Sequence, residues 1–400
     1  MTDPENSEGV LLLRGAHLVL PDQVTSESNL LIADGRIQTI HEGGQAIPLR
    51  PVRTFDLDGL TLFPGFIDVH IHGAVGVDTM EADAAALHNV ARFLAQHGVT
   101  GWLPTLVPAP VEDYRRAAEA IEQLMREQEE HPAAARALGL HYEGPFINSA
   151  QCGALRTAYF RTFKEGTELD DLAVFENVDA AQMMTVAPEI EGGIALVKEL
   201  TARGWVVSIG HTRSGVDVLE RACEAGARHM THFMNAMSPL HHRAPGPVGW
   251  GLLRDDVTCD LIADGIHLDP LALQLILRCK TPARVALISD SVAPAGLTDG
   301  EYRVWGETIR VEQGRTSNER GSIAGSVITM LDAVRLMLSL GVPATDVARM
   351  AAANPARLIG VDQECGSIEE GKRADLTCLD AEGRVRLTLV GGRVAFDDVV

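Results

Sequence analysis

Residues 66–78, FIDVHIHGAVGVD, set two imidazoles, His70 and His72, two positions apart at the end of an apolar run. If that run is a strand, side chains i and i+2 share a face roughly 6.6 Å apart. Both rings can then reach toward one metal ion; otherwise two polar residues merely open a loop. Further along, HYEGPF carries Glu143, SIGHT carries His211, MTHFMNAM carries His232, ADGIH carries His267 and ISD carries Asp290. Each alone has an ordinary explanation. A Glu before Gly-Pro opens a turn, and an Asp after an apolar strand caps a helix. His229, His241 and His242 fit no pattern at all. What the singled-out residues share is position, each closing or following a strand-like apolar run. Four of these imidazoles with the two carboxylates suit one or two borderline divalent ions, Zn²⁺ first, Fe²⁺ or Co²⁺ next. Mg²⁺ and Ca²⁺ would want more oxygen. Such an ion activates water and polarises a carbonyl, and Asp290 beside it can take the water's proton and hand it to a leaving group. The implied chemistry is metal-assisted hydrolysis.

The elements that must bring these groups together alternate. Strand-like and helix-like runs follow one another from FIDVHIH and DAAALHNVARFLAQHG to RVALISD and ITMLDAVRLMLSLG, with Gly98, Gly204, Gly226 and Gly341 where helix C-caps fall. Eight strands can be counted, the number of a (β/α)₈ barrel, whose chemistry gathers at the C-terminal ends of its strands. The connections after strands three, six and eight are irregular, and residues 306–325 read as a polar hairpin inserted before the last helix. Both chain ends are β-rich, with hairpin turns at Asp34-Gly35 and Gly391-Gly392, and neither is long enough to bury a core alone. The expectation is an α/β chain: residues 1–60 and 359–400 form one small β-sandwich, and residues 61–358 the barrel.

The net charge of −21 argues against nucleic acid and anionic membranes as partners, so an anionic substrate would need a local positive cluster. The six cysteines are scattered, without a C-x-x-C pair. The acidic start MTDPENSEGV shows no basic n-region or apolar h-region, and no 18-residue apolar run occurs, so the expectation is a cytoplasmic protein.

The strand-one motif PGFIDVHIHG, histidines on strands five and six and an aspartate on strand eight resemble the amidohydrolase superfamily. HYEGPFIN, IGHT, THFMNAMSPL, LIADGIHLD, ISDSVAPAG, IAGSVITM and NPARLIGV, in order from about residue 55 onward, resemble its N-acetylglucosamine-6-phosphate deacetylase branch. That resemblance implies Glu143, His211 and His232 as ligands of the principal metal, with His70 and His72 available to a second ion and Asp290 as acid/base. Other branches bridge their metals with a strand-four lysine; AQMMTVAPE has none, and Glu143 takes that place. Asn235 and Ala236 match the segment that holds the sugar, Ile323, Ala324 and Gly325 the loop on the acetyl side, and Arg243 and His267 the phosphate contacts. Arg243 is expected to reach the neighbouring site of a homodimer. After EGPFIN, Gly153 and Ala154 match the family, but Leu155 stands where a histidine is usual, with the cation of Arg156 next to it. The implied reaction is deacetylation of N-acetylglucosamine 6-phosphate, a metal-activated water attacking the acetamide. The alternatives are a related N-acyl amino sugar, as the galactosamine epimer or unphosphorylated, and an inactive barrel serving as a binding module.

Overall fold

The apolar runs of the middle region become parallel strands because both their faces are covered, which removes any demand for alternation. In the computed structural model, which describes residues 10–43, 53–130, 133–164, 166–170, 172, 175 and 180–399, eight of them form the barrel. These are β1 (Phe66–Ile71), β2 (Val99–Leu106), β3 (Gly139–Glu143), β4 (Ala181–Val186), β5 (Val206–Ile209), β6 (His229–Met230), β7 (Thr258–Ile262) and β8 (Val285–Ile288). Every residue of β1, β2, β3 and β8 is buried. Sequential strands pair in parallel from β1 to β8.

The two ends of the series close through the motif that carries the first histidines. Asp290 N donates to His70 O at 2.9 Å, while Asp68 accepts from Ser289 N at 3.2 Å and from Ser289 Oγ at 2.5 Å. Burial pushes the Asp68 carboxyl up to about 6 despite those hydrogen bonds. His70, His72 and Asp290 are thus set side by side by the closure itself.

Helices cover the outside. In α1 (Ala84–Gln96), Leu87, Val90, Ala91 and Leu94 bury one stripe and Asp83 caps the start, accepting from Ala86 N. Two of the irregular connections contribute walls to the barrel mouth. Between β3 and β4 the described residues hold only short 3₁₀ turns, such as Ser149–Gln151 and Thr157–Tyr159. After β8 comes a three-stranded antiparallel insertion, Gly300–Val304, Glu307–Glu312 and Arg315–Ser317, rather than a two-stranded hairpin.

Both chain ends share one eight-stranded sheet, in which Leu11–Leu18 pairs with Ser28–Ala33, Arg53–Asp56 and Thr61–Pro64, and Thr61–Pro64 pairs with Leu376–Leu379. Thr61–Pro64 therefore hydrogen-bonds within the terminal sheet, although it opens the segment assigned to the barrel from sequence. Leu13, Leu18, Leu30, Ile37, Leu62, Leu376 and Leu389 fill a common core. The two hairpin turns meet: a Cβ on Gly35 would lie 2.8 Å from Gly391 O, and φ is +72° at Gly35, so only glycine fits.

Candidate metal and catalytic site

At the C-terminal mouth of the barrel the strand ends deliver their polar groups to one cavity of about 130 Å³. β3 ends in Glu143, and its Oε1 lies 2.8 Å from His211 Nε2, just beyond β5, and 3.0 Å from His232 Nε2, just beyond β6. The two imidazole nitrogens are 3.1 Å apart. From β1, His70 and His72 bring their Nε2 atoms to 3.1 Å of each other. His72 Nε2 is 3.3 Å from Glu143 Oε2, and His70 Nε2 3.7 Å from Glu143 Oε1. Glu143 is therefore common to two triads, His70–His72–Glu143 and Glu143–His211–His232, all buried. Asp290 faces the first triad, its Oδ1 3.2 Å from His72 Nε2 and 3.5 Å from His70 Nε2.

The donor set fits a divalent cation. Metal–ligand bonds of about 2.0–2.1 Å place the ligand atoms of a tetrahedron about 3.3 Å apart, and most contacts within the two triads cluster near that separation. His211 Nδ1 donates to Gln151 O at 2.7 Å, which leaves Nε2 as the coordinating nitrogen. Charge points the same way. Burial acts to raise the Glu143 carboxyl, but hydrogen bonds from His211, His232, His70 and His72 hold it well below its usual range. Asp290 is likewise lowered, burial being outweighed by the charge of His70 and the hydrogen bond from His72. Conversely, burial acts to lower His72 and His232, yet Asp290 and Glu143 raise His72 to about 10 and Glu143 raises His232 to about 9. Two carboxylates in a dry pocket call for positive charge, which protons on these imidazoles or a divalent ion can supply. Binding the ion releases those protons. Zn²⁺ affinity measured between pH 6 and 9 therefore rises with pH, roughly tenfold per unit for each proton released. A flat profile would contradict this account of the cluster.

The backbone holds these side chains in unusual conformations. His211, His232 and Asp290 have φ of +47°, +31° and +49°, a region that L-residues enter at a cost of order 1–3 kcal/mol each. Surrounding groups hold each in place. Glu189 accepts from Asn148 Nδ2, Thr212 Oγ1, Arg213 N and Ser214 Oγ, tying together the loops after β3 and β5 that flank His211. Asp260 on β7 accepts from His232 N and lies 2.9 Å from His229 Nε2. His141 lies between Val69 O and Thr185 Oγ1 and packs edge-on against His70, and burial keeps it neutral. Ser326 N donates to Asp290 O at 2.7 Å. Gly325 permits that approach, because a Cβ there would meet Asp290 O at 2.8 Å and φ is +58°. Of these positioning groups, His141 lies in HYEGPFIN and Gly325 and Ser326 in IAGSVITM, whereas Glu189 and Asp260 carry no sequence signal of their own.

The remaining residues singled out from sequence divide into three groups. Gly153, Ala154, Asn235, Ala236, His267, Ile323 and Gly325 line the cavity. Asn235 Nδ2 is buried with no partner among the described residues, a donor open to a ligand. His267 Nδ1 is engaged by Asp264 Oδ2 at 2.6 Å, leaving Nε2 for the cavity. Ala324 is buried behind the wall, its N bonded to Thr316 Oγ1. Arg243 is not among the residues that line its own chain's cavity; it is exposed on a loop where Nη1 is 2.8 Å from His242 Nε2. Leu155 faces the cavity, but Arg156 does not take over the absent histidine's place, since its guanidinium stacks on Tyr159 at 4.8 Å. Two further lining residues, Ile262 and Trp305, were not anticipated. Ile262 looked like an ordinary core residue of β7; for Trp305 the signal was a Trp-Gly pair where a hairpin turn usually carries Asn-Gly.

Comparison with known proteins agrees with this geometry. The chain matches the amidohydrolase family over residues 61–395. It is 34% identical to an N-acetylglucosamine-6-phosphate deacetylase of Bacillus subtilis, covering 96% of this chain and 97% of that one. It is 35% identical to an N-acetylgalactosamine-6-phosphate deacetylase of Escherichia coli O157:H7, over 96% and 99%. The crystal structure of N-acetylglucosamine-6-phosphate deacetylase from Pasteurella multocida superposes with a TM-score of 0.88 at 29% identity, covering 96% of this chain and 99% of that one.

Proposed function

The chain belongs to the amidohydrolase family, and from that premise we propose that it deacetylates N-acetylglucosamine 6-phosphate, releasing acetate and glucosamine 6-phosphate. The observation that carries the reading is Glu143 shared between two histidine pairs with Asp290 beside them, in a cavity that also presents His267. Glu143, His211 and His232 hold the principal ion, Zn²⁺ by its donor set, and His70 and His72 offer a second position. Bound there, the ion supplies Lewis acidity toward water and the acetamide carbonyl. Asp290, ionised because its carboxyl is held low, accepts the proton of the attacking water and returns it to the departing amine. Asn235 donates to a sugar hydroxyl. His267, through Nε2, meets the phosphate.

Arg243 serves the neighbouring site of a homodimer in this reading. Its exposure on the loop after β6, outside the lining of its own cavity, supports that assignment. The absence of a membrane-length apolar helix among the described residues and the six free cysteines fit a cytoplasmic enzyme. The galactosamine epimer is a second reading, favoured by the Escherichia coli relative, as similar as any other named above.

The test is acetate release by the Zn²⁺-loaded protein from N-acetylglucosamine 6-phosphate, N-acetylgalactosamine 6-phosphate and unphosphorylated N-acetylglucosamine. We expect kcat/KM for the first to exceed that for the unphosphorylated sugar by about 10³-fold or more, the cost of leaving a built phosphate contact unused. Preference for the galacto epimer would move the assignment to the second reading. Equal rates with and without phosphate would remove the role given to His267 and Arg243. No bound metal and no acetate release would make the barrel a binding module.

A further inference from the structure

Trp305 occupies the first position of a two-residue turn between Gly300–Val304 and Glu307–Glu312, paired at Val304 and Glu307. Both turn residues have positive φ, +52° at Trp305 and +78° at Gly306. That is the geometry Asn-Gly adopts with ease and a bulky L-residue does not. A hairpin tip is also where side chains usually point into water, and Gly306 is indeed exposed. Trp305 is nevertheless buried at 7% exposure and lines the cavity, its ring edge-on to His72 with centroids 5.1 Å apart. The turn thus carries a residue that suits it poorly, and that residue puts its ring into the cavity.

The insertion that delivers this ring is tied to the catalytic strand. Thr316 Oγ1 donates to Gly325 O at 2.6 Å and accepts from Ala324 N at 3.1 Å, and the next residue, Ser326, donates its N to Asp290 O. Trp305 is thus built on the same segment that holds Asp290, so the distance from indole to reacting centre is set by structure rather than by a loose flap.

The cavity has two unlike sides about Asp290 and the metal ligands. Over β6 and β7 lie Asn235 and His267, donors suited to hydroxyls and an anion. Over β8 and β1 lie Ile323 and Trp305, a wall that is apolar but for the indole Nε1, and that atom is buried. An amide cleaved between them has a polar amine half and an apolar acyl half, and only one orientation matches each half to its side. We propose that Trp305 is the specificity-determining wall of the acyl subsite, its indole setting how long an N-acyl chain the amino sugar may carry and restricting the enzyme to acetyl. The inference rests on the deacetylase reading above.

The test uses the Zn²⁺-loaded full-length protein and follows free amine released from N-acetyl-, N-propionyl- and N-butyrylglucosamine 6-phosphate. Trp305→Asn removes the ring yet leaves the turn its preferred Asn-Gly pair, so the hairpin persists; Trp305→Phe is the second, conservative variant. Zinc content and thermal midpoint are measured alongside. The wild type prefers acetyl. In Trp305→Asn the butyryl-to-acetyl ratio of kcat/KM rises by at least about tenfold, the scale on which a hydrophobic pocket discriminates methylenes, with Trp305→Phe in between. A ratio unchanged in both variants while KM rises equally for every acyl chain would make Trp305 a platform for the sugar and overturn the proposal. An unchanged ratio with unchanged KM would overturn it equally. Failure of the wild type to release amine from any of the three sugars would instead refute the deacetylase reading, and the acyl subsite with it.

Discussion

Asp290→Asn lowers kcat by about 10³–10⁴-fold and leaves the zinc content as in the wild type. Asparagine is nearly isosteric with aspartate but cannot accept the proton that the proposed mechanism passes from water to the amine through Asp290. Among the described residues, the cavity lining holds only one other carboxylate, Glu143. Glu143 is engaged by His211, His232 and His72, and Asp68 lies on the closure between β1 and β8, bonded to Ser289. The position itself survives the substitution. Its N remains bonded to His70 O, its O to Ser326 N, and φ of +49° is tolerated better by Asn than by most residues. The Glu143–His211–His232 triad does not involve Asp290. Single-turnover acetate release and elemental analysis on the same preparation decide the matter. Loss of metal together with activity would make Asp290 a ligand rather than the acid/base.

Glu143→Gln is the second variant with a large effect, and it acts on the metal itself. The carboxylate is the one group common to both triads, and all four histidines lie against it. Zinc held by four ligands binds with about 10–16 kcal/mol, so one ligand accounts for roughly 3–4 kcal/mol, or about 10²–10³-fold in affinity. Losing the anion also removes the charge that raises His72 and His232. The variant purifies with little metal and little activity, and partial activity returns at high added Zn²⁺. Competition against a zinc chelator measures the shift. Wild-type affinity in the variant would show that the histidines alone hold the ion. His70→Asn, measured in parallel, reports whether a second ion contributes, through a change in metal stoichiometry.

Much of this site was legible in the amino-acid sequence because a strand's end is local information. His70, Glu143, His211, His232 and Asp290 each close or follow an apolar run, and a parallel barrel places all such ends on one rim. The spacing of His70 and His72 implied a common face, and the rings tilt further, bringing their Nε2 atoms to 3.1 Å. The pairing of the two chain ends was legible for a similar reason, since two short β-rich segments without separate cores had to share one.

What the sequence by itself determined is thus the set of polar groups that meet at the site and the rim on which they stand. Their separations, and the second layer that enforces them, were decided only by tertiary structure. Glu189, Asp260 and His141 act across gaps of 23–72 positions, through contacts that no local pattern encodes. Trp305 reaches the cavity only because its insertion is tied, through Thr316 and Gly325, to the strand that bears Asp290. Arg243, by contrast, is exposed on the loop after β6 and does not line its own chain's cavity. Periodicity reports which way a side chain leaves its own element. Which other elements close in around it depends on packing and ring closure summed over the whole chain.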